Sequence, residues 1–417
     1  MVGKSLSWFQ KFQSRYGWVI VALVFVSAAL VLGSRFSMGL FLPFLPEALN
    51  TSASSVSAAI ALSMLGAAAV QPLVGLLLDK LGGRLVFTVG LGCAGAALCG
   101  TAFATKYWQL VMLMGLANSI AYAAISPASS TTVVAGWFNQ NRGTALGVAT
   151  SGTKVSMIIL PPTIATLILV YDWRIAMLIV GLMVLAPVLP VLMLMRPAPQ
   201  NLLEQEQDDG IASQPALIES TAIQAMKQST FWIISLSLFA NGLMMNLVFV
   251  HLPSYVMGRG FDTAMAATGL ALLGGIGIFG TVVTGWLSDR LGGRSVMLMM
   301  FGSRAIVTLL VVVWPSIFTF AVFVLVFGFL GYGSIGVISS IATNLFGRKS
   351  IGTILGFAYV FNQIGGAAGV YAGGASLEWT GAYDLALWIA ILITLIAMPG
   401  FWLITGHTKH AGKRQDL

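Results

Sequence analysis

The sequence has few charged residues for its length. Only 8% of its 417 residues are Asp, Glu, Lys or Arg, whereas soluble globular chains carry about a quarter. In their place, 58% of the residues are hydrophobic and the mean hydropathy is +0.92. This composition excludes a soluble globular protein and indicates an integral membrane protein.

Residues of the kinds that form catalytic and metal sites are also scarce. The two cysteines, Cys93 and Cys99, lie six positions apart in one apolar run, where they are poorly placed to form a disulfide. The three histidines lack the further ligands that a metal site needs, and no Ser/His/Asp arrangement is present. The sequence therefore predicts a protein that is not an enzyme and has no metal site and no cofactor.

Long polar stretches are missing except for one. The segment 197–228 is polar and contains the acidic cluster Glu204, Glu206, Asp208 and Asp209. Elsewhere the chain consists of apolar runs that are long enough to cross ~30 Å of hydrocarbon as helices. Twelve such runs are predicted, at 18–44, 54–78, 85–105, 108–136, 143–170, 174–195, 229–256, 263–288, 295–314, 316–344, 352–377 and 382–405.

Positive charges are distributed unevenly between alternate loops. With both termini in the cytoplasm, 15 of the 21 Lys and Arg fall on the cytoplasmic side, and only Lys106, Arg174 and Arg259 fall in outer loops. This bias predicts cytoplasmic termini, and we expect the inner (plasma) membrane of a bacterium. Because the basic residues are spread over short loops, the high pI does not indicate a nucleic-acid partner.

Two stretches 210 residues apart repeat each other. Residues 75–84 (GLLLDKLGGR) and 285–294 (GWLSDRLGGR) share every glycine and every charge in register. The same offset pairs Tyr122 with Tyr332, and near the fifth and eleventh runs it becomes 209, which pairs Lys154 with Gln363. A fixed offset over this length indicates a duplicated unit.

The duplication predicts the fold class and the domain organisation. We expect an all-α polytopic membrane protein with twelve transmembrane helices in two pseudo-symmetric six-helix bundles. The bundles are predicted at 1–196 and 229–417, joined by the cytoplasmic linker 197–228, and we expect a monomer. Like-oriented repeats of this kind are typical of transporters that bind substrate near the midplane, where the halves meet.

At these residues the chain resembles the major facilitator superfamily over essentially its whole length. Both repeated stretches match the signature G-x-x-x-D-(R/K)-x-G-(x)-(R/K), which that family carries between helices 2 and 3. The resemblance implies that these stretches brace a cytoplasmic gate. The implied gate residues are Asp79, Arg84, Asp289 and Arg294.

Residues 137–152 (WFNQNRGTALGVATSG) are similar to the signature of the monocarboxylate porters and their oxalate–formate relatives at the start of helix 5. The match is partial, since Gln140 and Asn141 stand where that branch has basic residues. That branch also has an arginine inside helix 8, whereas the eighth run, Thr263 to Ser288, has no charge inside it. The resemblance implies organic-anion transport without indicating lactate in particular.

Acidic side chains are missing from the interior of the apolar runs. All 13 Asp and Glu lie in loops, in the linker, in the tail or at run ends, while Arg35, Lys154 and Arg304 lie inside runs. Arg35 is about 25 Å along the first run and Lys154 about 16 Å along the fifth. Buried cations without buried acids predict a site for a negative ligand. For Arg304, on a peripheral helix, we expect a structural partner.

Polar residues on the helices that line the cavity in this superfamily complete the predicted site. A carboxylate suits the planar fork of Arg35, the compact charge of Lys154 and the tyrosine hydroxyls. His251, near the outer end of the seventh run, is predicted to act in proton coupling or in an outer gate. The predicted substrate-binding residues are Arg35, Asn118, Tyr122, Lys154, Asn241, Asn246, Tyr332, Asn362 and Gln363.

The sequence therefore predicts a secondary active transporter of a small organic anion, with a monocarboxylate as the first candidate, working by alternating access in the lipid bilayer. Proton symport and anion exchange both stay open. The alternatives are a proton-driven drug or cation exporter, which needs a buried acid, and a transporter of a larger anionic metabolite such as an aromatic acid or a siderophore. A transporter-like receptor is a further alternative, but the linker is short for a signalling domain.

Overall fold

The computed structural model describes residues 2–138, 142–197, 222–346 and 351–403. Most of the predicted linker and the basic tail lie outside these residues, as do residues 139–141 of the stretch similar to the monocarboxylate porters. The described residues form helices and no strands, and 89% of them are helical. The predicted all-α fold class is confirmed.

Twelve helices of the described chain are long and apolar enough to cross a membrane. Their bounds agree with the predicted runs to within a few residues at most ends. We label them α1 to α12 in chain order: Tyr16–Leu40, Ala53–Leu78, Lys80–Ala102, Tyr107–Val134, Ala145–Val170, Trp173–Leu194, Ser229–Gly258, Thr263–Ser288, Gly293–Val313, Ile317–Thr343, Thr353–Thr380 and Asp384–Trp402.

The two repeated stretches form the same turn. Gly82, near the start of α3, has φ 75°, and Gly292, just before α9, has φ 81°. Residues with a side chain rarely adopt this left-handed conformation, whereas glycine adopts it freely. The shared glycines of the two stretches therefore reverse the chain at equivalent points of both repeats.

Helices α4 and α10 are interrupted, which the continuous apolar runs do not predict. In α4 a π-helical segment, Val111–Ala117, precedes Asn118–Ala124, and a new helix starts at Pro127 after the cap Ser126, whose hydroxyl accepts a hydrogen bond from the Ser129 amide at 3.1 Å. In α10 the helix Ile317–Gly331 ends at Tyr332, and a second helix starts at Ser334. Interrupted membrane helices expose backbone groups that need other partners.

Glycines allow several helices to approach backbone to backbone. A Cβ on Gly152 of α5 would meet the carbonyl of Phe25 in α1, and a Cβ on Gly242 of α7 would meet the carbonyl of Asn362 in α11. Small residues at such contacts are the usual means of packing helices in lipid, where burial of apolar surface drives little association.

The chain forms two compact units. Unit 1 contains 1–214, 248–275 and 370–382, and unit 2 contains 215–247, 276–369 and 383–417. Unit 1 thus includes the outer ends of α7 and α11 and the first half of α8, together with α1 to α6. The predicted boundaries at 196 and 229 stay predictions.

Candidate functional site

Arg35 lies near the outer end of α1, with its guanidinium over the ring of Tyr122 at 4.6 Å from the ring centroid. Its Nε is buried and donates to no acceptor among the described residues. The described chain also provides no carboxylate that pairs with Arg35. A partly buried cation of this kind within a spanning helix is costly unless a ligand or a polar partner compensates its charge. Arg35 therefore fits an anionic ligand.

Tyr122 is brought to Arg35 by the second helical segment of α4. It follows the π-helical segment by five residues, and π-segments often occur at functional sites because they shift the register of the side chains that follow. Asn118 lies one turn earlier on the same face of α4, is buried, and contacts the Met114 sulfur at 3.0 Å. Of the predicted substrate residues in unit 1, Arg35 and Tyr122 are in direct contact.

Lys154 is a partly buried residue of α5, which packs along α1. A Cβ on Gly152 would meet the Phe25 carbonyl, and a Cβ on Gly33 would meet the Ser156 side chain. Lys154 is therefore level with the part of α1 between Phe25 and Gly33, whereas Arg35 lies beyond that part toward the outer end. The backbone positions of the two cations differ in depth.

Arg304 of α9 lies in a buried polar cluster of unit 2. Its guanidinium donates to Asn241 Oδ1 at 2.9 Å, to Ser334 Oγ at 2.9 Å, and to the carbonyls of Leu330 and Gly331. Ser334 also donates to Asn241 Oδ1 at 2.7 Å. Arg304 thus has structural partners, as expected. The hydrogen bonds from Arg304 and Ser334 occupy the carboxamide oxygen of Asn241, a predicted substrate ligand.

Three other predicted site residues of unit 2, Asn246, Asn362 and Tyr332, have contacts within that unit. Asn246 donates to the Gly242 carbonyl and Asn362 to the Leu238 carbonyl, each at 2.9 Å. The ring of Tyr332 packs on α8, where a Cβ on Gly277 would meet it. Gln363 is partly buried on α11. Their roles as substrate ligands stay predictions.

His251 is buried in unit 1, with 3% of its surface exposed. Its Nε2 donates to the Val370 carbonyl of α11 at 2.8 Å, because a carbonyl can only accept. The ring also packs on Gly373, where any Cβ would meet it. His251 is therefore held between α7 and α11 and is not a solvated outer residue.

Close contacts surround His251 at the outer ends of the unit 1 helices. A Cβ on Gly39 would meet the Val250 carbonyl. The ring centroids of Phe36 and Phe249 lie 5.0 Å apart, in an edge-to-face arrangement. Ser54, at the start of α2, donates a hydrogen bond from its hydroxyl to the carboxylate of Glu378, near the outer end of α11. The sequence reasoning missed Glu378 as a partner of α2, because nothing in the sequence relates the two positions.

The predicted cytoplasmic gate residues are only partly described. The side chains of Asp79 and Asp289 lie outside the described part of the chain. Arg84 is exposed, and the Arg294 guanidinium lies 4.2 Å from the ring centroid of Trp402. The role of these four residues in a gate stays a prediction.

The twelve apolar helices and the two repeats are features by which the protein can be compared with known families. The sequence model of the Major Facilitator Superfamily matches residues 24–370, with a second match over 279–416. The chain belongs to the Major Facilitator Superfamily. It is therefore an integral membrane transporter of small molecules, in a family that is not enzymatic.

Individual known proteins are similar to the chain over most of its length, at low sequence identity. The chain is 23% identical over 394 residues to an uncharacterized MFS-type transporter, YcxA, of Bacillus subtilis, and this covers 91% of the chain and 92% of the relative. It is 26% identical to monocarboxylate transporter 13 of Rattus norvegicus, with 93% and 90% covered. The crystal structure of a bacterial homologue of the human lysosomal transporter Spinster shares the fold, with TM-score 0.75, 14% identity, and 93% and 97% covered.

Proposed function

We propose that this transporter carries a small organic anion, with monocarboxylates as the first candidates. The observation that carries the proposal is Arg35, whose buried Nε has no acceptor in the described chain and whose guanidinium lies on the Tyr122 ring. A carboxylate would accept charge-assisted hydrogen bonds from this fork. The similarity to monocarboxylate transporters supports the same class of substrate.

The charges of the spanning helices favour an anion over a cation. The three Lys and Arg inside the predicted runs are Arg35, Lys154 and Arg304, and all 13 carboxylates stand at run ends or outside the runs. A cation exporter needs a buried acid to exchange its substrate for a proton, and the runs offer none. Lys154, at a different depth from Arg35, is proposed as a second point of attraction for the anion.

We also propose an outer gate around His251, within an alternating-access cycle. The gate consists of the close contacts of Gly39 with Val250, Phe36 with Phe249, and His251 with α11. A histidine whose Nε2 is bonded to a backbone carbonyl in a buried contact is suited to hold helices together. The charge bias of the loops supports cytoplasmic termini in a bacterial plasma membrane, and a monomer is proposed.

The experiment that tests the function is uptake into proteoliposomes from a panel of radiolabelled mono- and dicarboxylates, an aromatic acid and an organic cation. Uptake of one or more anions supports the proposal, and uptake of the cation alone contradicts it. An imposed pH gradient in one arm and an internal counter-anion in another separate proton symport from anion exchange. Empty liposomes serve as the control for passive entry.

For His251→Gln we expect slower transport, with the same response to an imposed pH gradient as in the wild type. Glutamine keeps a donor for the Val370 carbonyl, but it fills less of the space against Gly373. Initial uptake rates with and without the gradient measure both effects, and we expect the rate to fall by about 2- to 10-fold, as for a core change of roughly 0.5–1.5 kcal/mol. Loss of the response to the gradient with rapid anion exchange retained would instead make His251 the proton carrier.

A further inference from the structure

The Arg304 cluster combines a buried cation with the interruption of α10. Only 1% of the Arg304 surface and 3% of the Asn241 surface are exposed, and Ser334 is fully buried. We call these three residues the polar trio. Two of the acceptors of Arg304, the carbonyls of Leu330 and Gly331, are the last of the first helical segment of α10.

The end of a helix is a favourable place for such a cation. The last carbonyls of a helix have no partner within the helix, and the helix dipole places partial negative charge there. Arg304 therefore satisfies carbonyls that the interruption leaves open. The trio thus stabilises α10 in its interrupted form, with Tyr332 at the point of interruption.

The other repeat provides an internal comparison. With the offset of 210 residues, Asn241 corresponds to Val31, Arg304 to Ala94 and Ser334 to Ala124. All three equivalents are apolar and buried. A six-helix repeat therefore forms with apolar residues at these positions, and the polar trio is not a requirement of the repeated fold.

The two repeats also interrupt their helices at different points. In α4 the interruption comes at Ile125 and Ser126, and Tyr122 lies inside a helical segment. In α10 it comes at Tyr332 and Gly333, about one turn earlier in the repeat. In the repeat with the polar trio, the equivalent tyrosine stands at the end of the first helical segment, with backbone angles that are still helical (φ −81°, ψ −25°).

Glycines on α8 leave room for the α10 residues around the interruption. A Cβ on Gly277 would meet the Tyr332 ring, and a Cβ on Gly280 would meet the Phe329 carbonyl just before the interruption. The side chain of Tyr332 therefore packs closely on α8, while Arg304 bonds the carbonyls of the two residues before it.

We propose that Arg304 is a positioning residue for transport: through the polar trio it fixes the interruption of α10 and with it the position of Tyr332, a predicted contact of the anion. This proposal rests on the proposed function, because it assumes that Tyr332 contacts the transported anion. Arg304 itself is not proposed to contact the substrate, since its Nη atoms donate to Asn241, to Ser334 and to the α10 carbonyls.

The test replaces the whole trio by apolar residues of similar size, Asn241→Leu, Arg304→Met and Ser334→Ala. Replacing the three side chains together leaves no polar member of the trio unsatisfied, whereas removing one member does. The Leu330 and Gly331 carbonyls lose the Arg304 donor in either case. We expect the triple variant to fold, with Tm within about 5 °C of wild type. We expect its KM for the best anion of the panel to rise by about 10-fold, with the maximal rate within roughly 2-fold, as for the loss of one substrate contact.

Two further variants separate geometry from charge. Arg304→Lys keeps the positive charge but lacks the planar fork that reaches several acceptors, so we expect its KM to rise as in the triple variant. Tyr332→Phe should raise KM in the wild type and add little in the triple variant, because both changes act on the same contact. Normal KM in Arg304→Lys would overturn the positioning role in favour of charge alone.

Hydrogen–deuterium exchange of residues 327–340 gives a readout that needs no substrate. The triple variant should change the exchange of the amides around the interruption by about 10-fold or more, with the α4 segment 117–130 as the matched control in the same sample. Unchanged exchange would refute the role of the trio in α10. If no anion is transported by the wild type but exchange changes as expected, the proposed function fails while the effect of the trio on α10 stands.

Discussion

Arg35→Gln is expected to reduce organic-anion uptake by about 100-fold or more, because removal of a buried charge partner costs roughly 3–5 kcal/mol. In the described chain, Tyr122 lies against the guanidinium and no acceptor reaches its buried Nε. Glutamine removes the charge and the fork but keeps a polar side chain of moderate length. Initial rates over a range of anion concentrations in proteoliposomes measure the effect, and Arg35→Lys should retain part of the activity.

Arg259 provides a matched control for Arg35. Its guanidinium also lies over a tyrosine, 5.1 Å from the ring centroid of Tyr255, but Arg259 is exposed at the end of α7. Exposed charge contacts contribute little, about 0–1 kcal/mol, so Arg259→Gln should transport anions at close to the normal rate. Equal loss in both variants, or normal uptake in Arg35→Gln, would contradict the assignment of Arg35.

The contribution of the Tyr122 ring, on which the Arg35 guanidinium lies, can be tested separately. Tyr122→Phe keeps the aromatic face that attracts the cation, whereas Tyr122→Leu removes it. We therefore expect a larger loss of affinity for the anion in Tyr122→Leu than in Tyr122→Phe.

The second large effect is expected for Gly39→Ala, which adds one methyl group where α1 meets the backbone of α7. The added Cβ would meet the Val250 carbonyl at a distance that atoms do not tolerate, so the outer contacts have to separate. Overpacking of this kind costs about 1–3 kcal/mol. We expect the closed outer gate to lose roughly 10-fold or more in population, and transport to fall with it.

Thiol labelling measures that population directly. In a background with Cys93→Ala and Cys99→Ala, Phe36→Cys places a thiol where Phe36 now contacts Phe249. An impermeant maleimide applied from the outer side should label this thiol faster in the presence of Gly39→Ala.

Gly92→Ala is the control for this substitution. Gly92 is also a glycine of a spanning helix, and a Cβ there would meet nothing within 4 Å. We expect Gly92→Ala to leave both labelling and transport unchanged. If Gly39→Ala gives the same result as Gly92→Ala, the contact of Gly39 with Val250 is not part of a gate.

Much of the fold follows from the sequence because the bilayer imposes strict physical limits. A span needs about 20 apolar residues and complete internal hydrogen bonding, so the twelve helices and their ends are visible in the hydropathy. The turns at Gly82 and Gly292 are likewise visible, because a shared glycine marks a backbone conformation that other residues avoid.

The interruptions of α4 and α10 are less visible. In α4 the sequence does carry a signal, the cap Ser126 followed by Pro127, and Ser129 of the same helix donates to the Ala123 carbonyl. In α10 the hydrogen bonds that compensate the break come from Arg304 on another helix. Arg304 illustrates the difficulty: the sequence marks it as a buried cation, but its partners lie 26 to 63 residues away on two other helices.

The sequence by itself determined the membrane class, the twelve spans, the duplication and the set of buried cations, because each depends on local composition or on a fixed offset. Only the tertiary structure decided how those cations are used. The guanidinium of Arg35 lies on the Tyr122 ring, whereas the Nη atoms of Arg304 donate to Asn241, to Ser334 and to carbonyls at the end of a helix. The physical reason is that the cost of a buried charge depends on its partners in space. Those partners come from helices whose contacts are set by packing and not by their separation along the chain.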